Sequence, residues 1–119
     1  MSTNKKHTPS AKIWIEHEGQ PLIGKGGAEI LQSIAKENSI TKAAETLGMS
    51  YRYVWNYLKK IEKTIGTPIV ETYKGGKAGG GGAKLTKTGK SLLSEYKRLE
   101  ICLSEFLSET KTVKKQKSG

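Results

Sequence analysis

Residues 40–61, ITKAAETLGMSYRYVWNYLKKI, constrain the fold of this chain more than any other stretch. Ala44 is small enough to lie where two helices touch, and Gly48, a few positions later, tolerates the positive φ that a tight turn requires. The residues after the turn carry apolar side chains at helical spacing, namely Val54, Leu58, Ile61 and Ile65. This pattern predicts two short helices packed at a steep angle, a helix-turn-helix.

The segment before this pair predicts a hairpin and one further helix. Residues 13–15 suit a strand, Gly19 suits a tight turn, and residues 22–23 suit a short return strand. A helical pattern then covers residues 26–37. Residues 1–11 are small, polar and basic, so we expect a disordered arm there.

The segment after the pair adds two strands and a long helix. We expect strands at 69–73 and 83–85, and a helix that begins after Thr86 or Thr88 and reaches Val113. Three helices, two strands around a loop and a last helix, in that order, predict a winged helix-turn-helix. The fold class is therefore mainly α with small β.

A glycine-rich stretch separates the two strands, and six of the eight residues from Gly75 to Gly82 are glycine. A Walker A phosphate loop is excluded by spacing, because Lys84 stands where the glycine before Gly89-Lys90-Ser91 would be required. A linker between two domains is excluded because neither flank has enough apolar residues for its own core. A wing remains, and its glycines and lysines are predicted to contact DNA: Lys74, Gly75, Gly76, Lys77, Gly79, Gly80, Gly81, Gly82 and Lys84. The alternative is a hairpin tip that contacts nothing.

The helix after Ser50, its predicted N-cap, has a face opposite the apolar residues that is suited to reading DNA. That face consists of Tyr51, Arg52, Trp55, Asn56, Lys59 and Lys63. Arginine and asparagine can make bidentate hydrogen bonds to guanine and adenine, and lysine binds phosphates. The tyrosine and tryptophan can pack on sugars or a thymine methyl group. Under the alternative interpretation Trp55 belongs to the core and the charges are ordinary surface.

The composition agrees with a polyanionic partner. Twenty-one Lys and Arg against 11 Asp and Glu give the 119 residues a net charge of +10. One cysteine and two histidines provide no spacing typical of a metal site, and no nucleophile–base pair indicates an enzyme. His17, with Glu16 and Glu18, is interpreted as a solvated strand edge. We expect no cofactor and no membrane span, and a cytoplasmic location at the nucleoid.

Three runs of sequence, SITKAAETLGMSYRYVWNYLKKIE, GTPIVE and GGKAGGGGAKLTKTG, carry a family resemblance. They resemble the N-terminal DNA-binding domain of the molybdate-responsive ModE regulators and, more distantly, the winged helix of LysR-type regulators. The resemblance covers roughly residues 12–110 and implies a dimer that binds an operator. ModE proteins continue into molybdate-binding domains, whereas nothing in this sequence corresponds to an oxyanion pocket. We therefore expect a stand-alone winged helix-turn-helix and do not extend molybdate sensing to it, and no small-molecule effector is evident from the sequence.

The last predicted helix has an apolar stripe that suits a second copy of the chain. Its apolar positions alternate in steps of four and three, at Leu92, Tyr96, Leu99, Leu103, Phe106, Thr110 and Val113. All of these except Thr110 are predicted to form a twofold dimer interface, although packing within one subunit is the alternative. Cys102, between apolar positions, is expected to be buried.

Together these predictions divide the chain and define its function. The division is a disordered basic arm at 1–11, a winged helix-turn-helix at 12–86 with its wing at 68–86, a dimerisation helix at 87–113 and a basic tail at 114–119. The predicted function is a homodimeric DNA-binding transcriptional regulator, with a recognition helix at about 51–64 in the major groove and the wing on the backbone or minor groove. The alternative is an architectural, nucleoid-associated protein with little sequence preference.

Overall fold

The computed structural model of the protein describes residues 6–74 and 81–118, with side chains as far as residue 110. Its elements in chain order are β1 (Ile15–His17), β2 (Gln20–Ile23), α1 (Lys25–Glu37), α2 (Ile40–Leu47), α3 (Tyr51–Ile65), β3 (Val70–Tyr73), β4 (Gly82–Leu85) and α4 (Lys87–Ser118). Strands β1 and β2 pair antiparallel, as do β3 and β4. This order confirms the predicted winged helix-turn-helix with a long C-terminal helix.

Strand β1 lies closer to its turn than the sequence predicts. Glu18 and Gly19 both have positive φ, at 49° and 82°, and His17 pairs with Gln20. Two central residues with positive φ form the tight hairpin turn whose twist matches that of the strands. The pairing therefore begins directly beside the turn, and residues 13–14 precede the strand.

Serine caps and glycine ends bound the helices of the helix-turn-helix, and Gly48 and Ser50 stand where the sequence predicts them. Ser39 caps α2, since its Oγ accepts a hydrogen bond from the Lys42 N–H at 3.0 Å. Gly48 ends α2 with a φ of 70°. Ser50 then caps α3 by accepting a hydrogen bond from the Tyr53 N–H at 3.0 Å.

A single hydrophobic core lies between α1, the helix pair and the two hairpins. Its most deeply buried large side chains are Ile23, Ile30, Leu31, Ile34, Val54, Leu58 and Ile69. Ala43 and Ala44 of α2 are also buried, which fits the need for small residues where two helices meet.

The base of the wing is fixed to the start of α4. Thr86 donates a hydrogen bond from Oγ1 to the Pro68 carbonyl at 2.8 Å and accepts one from the Gly89 N–H at 3.1 Å. Thr86, not Thr88, is therefore the residue that caps α4. A Cβ at Gly89 would collide with the Ile69 carbonyl oxygen, so the glycine of the GKS run serves close packing.

The first turns of α4 belong to the core of the single chain, which corrects part of the predicted dimer interface. Leu92 and Tyr96 are 5% and 2% exposed, because α4 packs there against α1 and β4. They offer no area to a second copy. Leu99 and Leu103 are half-buried, and Phe106 is 62% exposed. The side chain of Val113 lies outside the described residues.

The prediction that Cys102 is buried is wrong. The cysteine is exposed on α4, beyond the point at which the helix leaves the core.

Candidate nucleic-acid interface

One side of α3 is buried and the other is exposed, as the sequence predicts. Val54, Leu58 and Ile61 are buried. The opposite side carries five exposed residues of the predicted reading face: Tyr51, Arg52, Asn56, Lys59 and Lys63. In the part of the chain that the structure describes, Arg52 and Asn56 make no side-chain hydrogen bond or ion pair. Their donors and acceptors are therefore available to a ligand.

Trp55 lies at the edge of this face and is half-buried against the core. Its ring stacks on Tyr51, with centroids 6.1 Å apart and planes 11° apart. The Lys59 ammonium lies 4.4 Å from the centroid of the Trp55 ring, an arrangement in which the cation is attracted by the ring. Trp55 therefore belongs in part to the core, and its predicted contact with DNA stays a prediction.

Glu62 is a residue of this region that sequence reasoning did not identify. Its Oε1 lies 3.2 Å from the Lys59 ammonium. Its Oε2 accepts hydrogen bonds from the backbone N–H groups of Ile69 at 2.9 Å and Val70 at 3.3 Å. A carboxylate is unexpected on a face suited to DNA. Its presence is explained by the chain that returns along α3 at the start of β3, because the backbone N–H groups there bond to it.

Tyr53 and Lys60 are also exposed on α3 and were not predicted. Tyr53 is 53% exposed and its ring lies 6.3 Å from that of Tyr57. Burial of Tyr57, and then the proximity of Tyr53, raises the pKa of the Tyr57 hydroxyl. The sequence could have indicated that Tyr53 is exposed beside the reading face, because it follows Arg52 in the first turn of α3.

The wing flanks α3 through the strands β3 and β4. Lys74, Gly81 and Lys84 are exposed, and Gly82 lies against the Tyr73 ring. Lys84 lies 3.9 Å from a Glu71 carboxylate oxygen. The remaining predicted wing contacts lie outside the described residues: Gly75, Gly76, Lys77, Gly79 and Gly80.

A cleft separates the wing from the start of the helix pair. Its walls are Ser39 and Thr41 at the beginning of α2, Tyr51 of α3, and Thr72 and Tyr73 of β3. Tyr51, stacked on Trp55, thus faces both the exposed side of α3 and the wing. The cleft brings the predicted recognition helix and the predicted wing to one surface.

Two further findings concern His17 and the hydropathy of the helices. The Nε2 atom of His17 lies 3.8 Å from the Glu18 carboxylate at the exposed hairpin turn. Among the residues that the structure describes, no helix has the length and hydropathy needed to cross a bilayer.

The sequence of the helix-turn-helix and the wing matches a known protein family. Residues 27–90 match the family model described as bacterial regulatory helix-turn-helix protein, lysR family. The match spans more than half of the chain, which therefore belongs to the LysR family of bacterial regulatory helix-turn-helix proteins.

Individual relatives narrow the resemblance to the N-terminal region of ModE proteins, as predicted. The molybdenum transport protein ModE of Herbaspirillum seropedicae is 37% identical over 83 residues, which cover 70% of this chain and 30% of that protein. The molybdenum-pterin-binding protein MopA of Rhodobacter capsulatus is 30% identical over 97 residues, covering 82% of this chain. The chain spans only 36% of the length of MopA.

Solved structures show the same fold at lower identity. The BenM DNA-binding domain, in its complex with catB site 1 DNA, superposes with a TM-score of 0.53 at 21% identity. That comparison covers 72% of this chain and 89% of the BenM domain. The CbnR DNA-binding domain in complex with DNA gives a TM-score of 0.54 at 16% identity, over 72% of this chain and 92% of that domain.

Proposed function

We propose that this chain is a homodimeric, DNA-binding transcriptional regulator that reads sequence with α3 in the major groove. The observation that carries the proposal is the exposed face of α3, where Arg52 and Asn56 are free to make base contacts and Lys63 is free to bind phosphate. The ModE protein of Escherichia coli, a DNA-binding transcriptional dual regulator that is 37% identical over 67 residues, supports the proposal, as do the DNA-bound domains of the same fold.

The wing is proposed to contact the DNA backbone or the minor groove beside α3. Lys74 and Lys84 are exposed on the wing, and a cleft lined by Tyr51 lies between the wing and the helix pair. The predicted contacts of the glycine-rich tip, including Lys77, belong to the same proposal. Phosphate contacts of this kind fix register without reading sequence.

The dimer is proposed to form through the part of α4 that leaves the core. Phe106 is 62% exposed, and Leu99 and Leu103 are half-buried along the same stripe. A twofold pairing of this helix would present two copies of α3, which must lie roughly 34 Å apart to read adjacent major grooves. The operator would then be a palindrome.

The first test compares two basic residues of α3. Arg52→Ala should weaken binding and relax discrimination at one base position, at a cost of about 1–3 kcal/mol on the preferred site. Lys63→Ala should weaken binding to all sequences alike and reduce the salt slope by about one. The readout is fluorescence anisotropy on a preferred duplex and its single-base variants. Equal losses for both variants on every duplex would contradict base reading by Arg52.

A second function is favoured by one observation, the net charge of +10 with a glycine- and lysine-rich wing. These features also suit an architectural protein that coats the nucleoid with little sequence preference. It would bind all duplexes with similar affinity and a steep dependence on salt, and Arg52→Ala would then change affinity without changing discrimination.

A further inference from the structure

We propose that Glu62 is a positioning residue, which holds Lys59 against Trp55 and thereby withholds this ammonium from DNA phosphates. The effect would be to lower affinity for DNA of arbitrary sequence while leaving base reading to Arg52 and Asn56. The inference rests on the proposed function, because it concerns which cations of α3 reach DNA.

Glu62 is held in place by β3 rather than by α3 alone. The backbone N–H groups of Ile69 and Val70 both donate to its Oε2, at 2.9 and 3.3 Å. The side chain is only 14% exposed. Hydrogen bonds to an ionised carboxylate are among the stronger ones in proteins, so the second oxygen, Oε1, has a fixed position next to Lys59.

Lys59 is held between two partners. Its ammonium lies 3.2 Å from Glu62 Oε1 and 4.4 Å from the centroid of the Trp55 ring. The ring in turn stacks on Tyr51. We call these four residues, Tyr51, Trp55, Lys59 and Glu62, the α3 column. The column follows the side of α3 nearest the wing, since Glu62 bonds the start of β3 and Tyr51 lines the cleft beside Thr72 and Tyr73 at its end.

The column changes what Lys59 can contribute to binding. A cation increases affinity for DNA mainly by releasing a counterion when it neutralises a phosphate. The charge of Lys59 is already offset by Glu62, whereas Arg52 and Lys63 have no ion-pair partner among the described residues. Lys59 should therefore stabilise the stacked Tyr51 and Trp55 rings more than it binds phosphate.

The test is the variant Glu62→Gln in the full chain. The amide oxygen of glutamine can still accept from the β3 backbone, but the negative charge that holds Lys59 is removed. Affinity for a random-sequence duplex should rise about fivefold at 0.15 M salt, and the slope of log K against log salt should steepen by about one. Anisotropy titrations at several salt concentrations measure both quantities.

Three controls isolate the cause. Glu95→Gln removes the same charge from an exposed position of α4, and it should change the slope far less. Lys59→Gln should leave the slope close to that of the wild type. Adding Glu62→Gln to Lys59→Gln should then have no further effect, because the released cation is gone.

The outcomes separate this inference from the proposed function. If the wild-type chain binds DNA but Glu62→Gln matches Glu95→Gln, the role of Glu62 is wrong and the regulator proposal stands. A steeper slope for Glu62→Gln that persists without Lys59 also overturns the inference. If the wild-type chain does not bind DNA, the proposed function itself fails.

Discussion

At the scale of single residues, two helical glycines differ in how closely other atoms approach them. A Cβ at Gly89 would collide with the Ile69 carbonyl oxygen, and backbone atoms cannot move aside as a side-chain end can. Gly26 in α1 has no atom within 4 Å of the same position and does not have positive φ. A side chain at position 89 would therefore clash, whereas one at position 26 would have space, although both positions are helical.

We expect Gly89→Ala to lower the free energy of unfolding by about 1–3 kcal/mol, the usual cost of overpacking. Gly26→Ala should instead raise it by about 0.4–1 kcal/mol, because alanine restricts the unfolded chain and favours helix. Urea denaturation followed by circular dichroism measures both values. Equal stabilisation by both substitutions would contradict the close contact between α4 and Ile69, the residue before β3.

The residues that sequence reasoning identified correctly are those whose role is local. Ser50 and Gly48 were predictable because a cap and a helix end depend on neighbours within a few positions. Glu62 was not, because its partners at Ile69 and Val70 come near only once β3 has folded back along α3. The spacing of residues along the sequence does not show which side chain a later strand will contact when it folds back.

At the scale of elements, α4 has a first part that packs into the core and a second part that is more exposed. Leu92 and Tyr96 pack into the core, which periodicity alone could not separate from the rest of the apolar stripe. Beyond them, Leu99, Leu103 and Phe106 continue the stripe while exposure increases. A heptad pattern shows that a helix buries one side, but it does not show whether the partner is the same chain or a copy.

Replacing Phe106 by glutamate should convert the proposed dimer to a monomer while the fold remains, because Phe106 is 62% exposed and lies outside the core of the single chain. A charge on each copy at a twofold interface would be buried without a partner. Glu105→Ala, at the exposed neighbouring position, is the matched control and should remain dimeric. Light scattering gives the mass of each variant, and circular dichroism checks the fold. A Phe106→Glu variant with the mass of a dimer would place the interface elsewhere.

At the scale of the whole molecule, the proposed arrangement combines a twofold pair of reading helices with an excess of positive charge. The first property favours a palindromic site, and the second favours any DNA. A net charge of +10 therefore does not by itself distinguish a regulator from an architectural protein. What distinguishes them is the ratio of specific to non-specific affinity.

The most direct measurement of that ratio is selection from a randomised duplex pool, followed by anisotropy titration of the selected and bulk sequences at two salt concentrations. We expect a palindromic motif that binds on the order of 10³-fold or more tightly than bulk DNA. Selection without an enriched motif, with equal affinity for all duplexes and a steep salt dependence, would contradict sequence reading by α3.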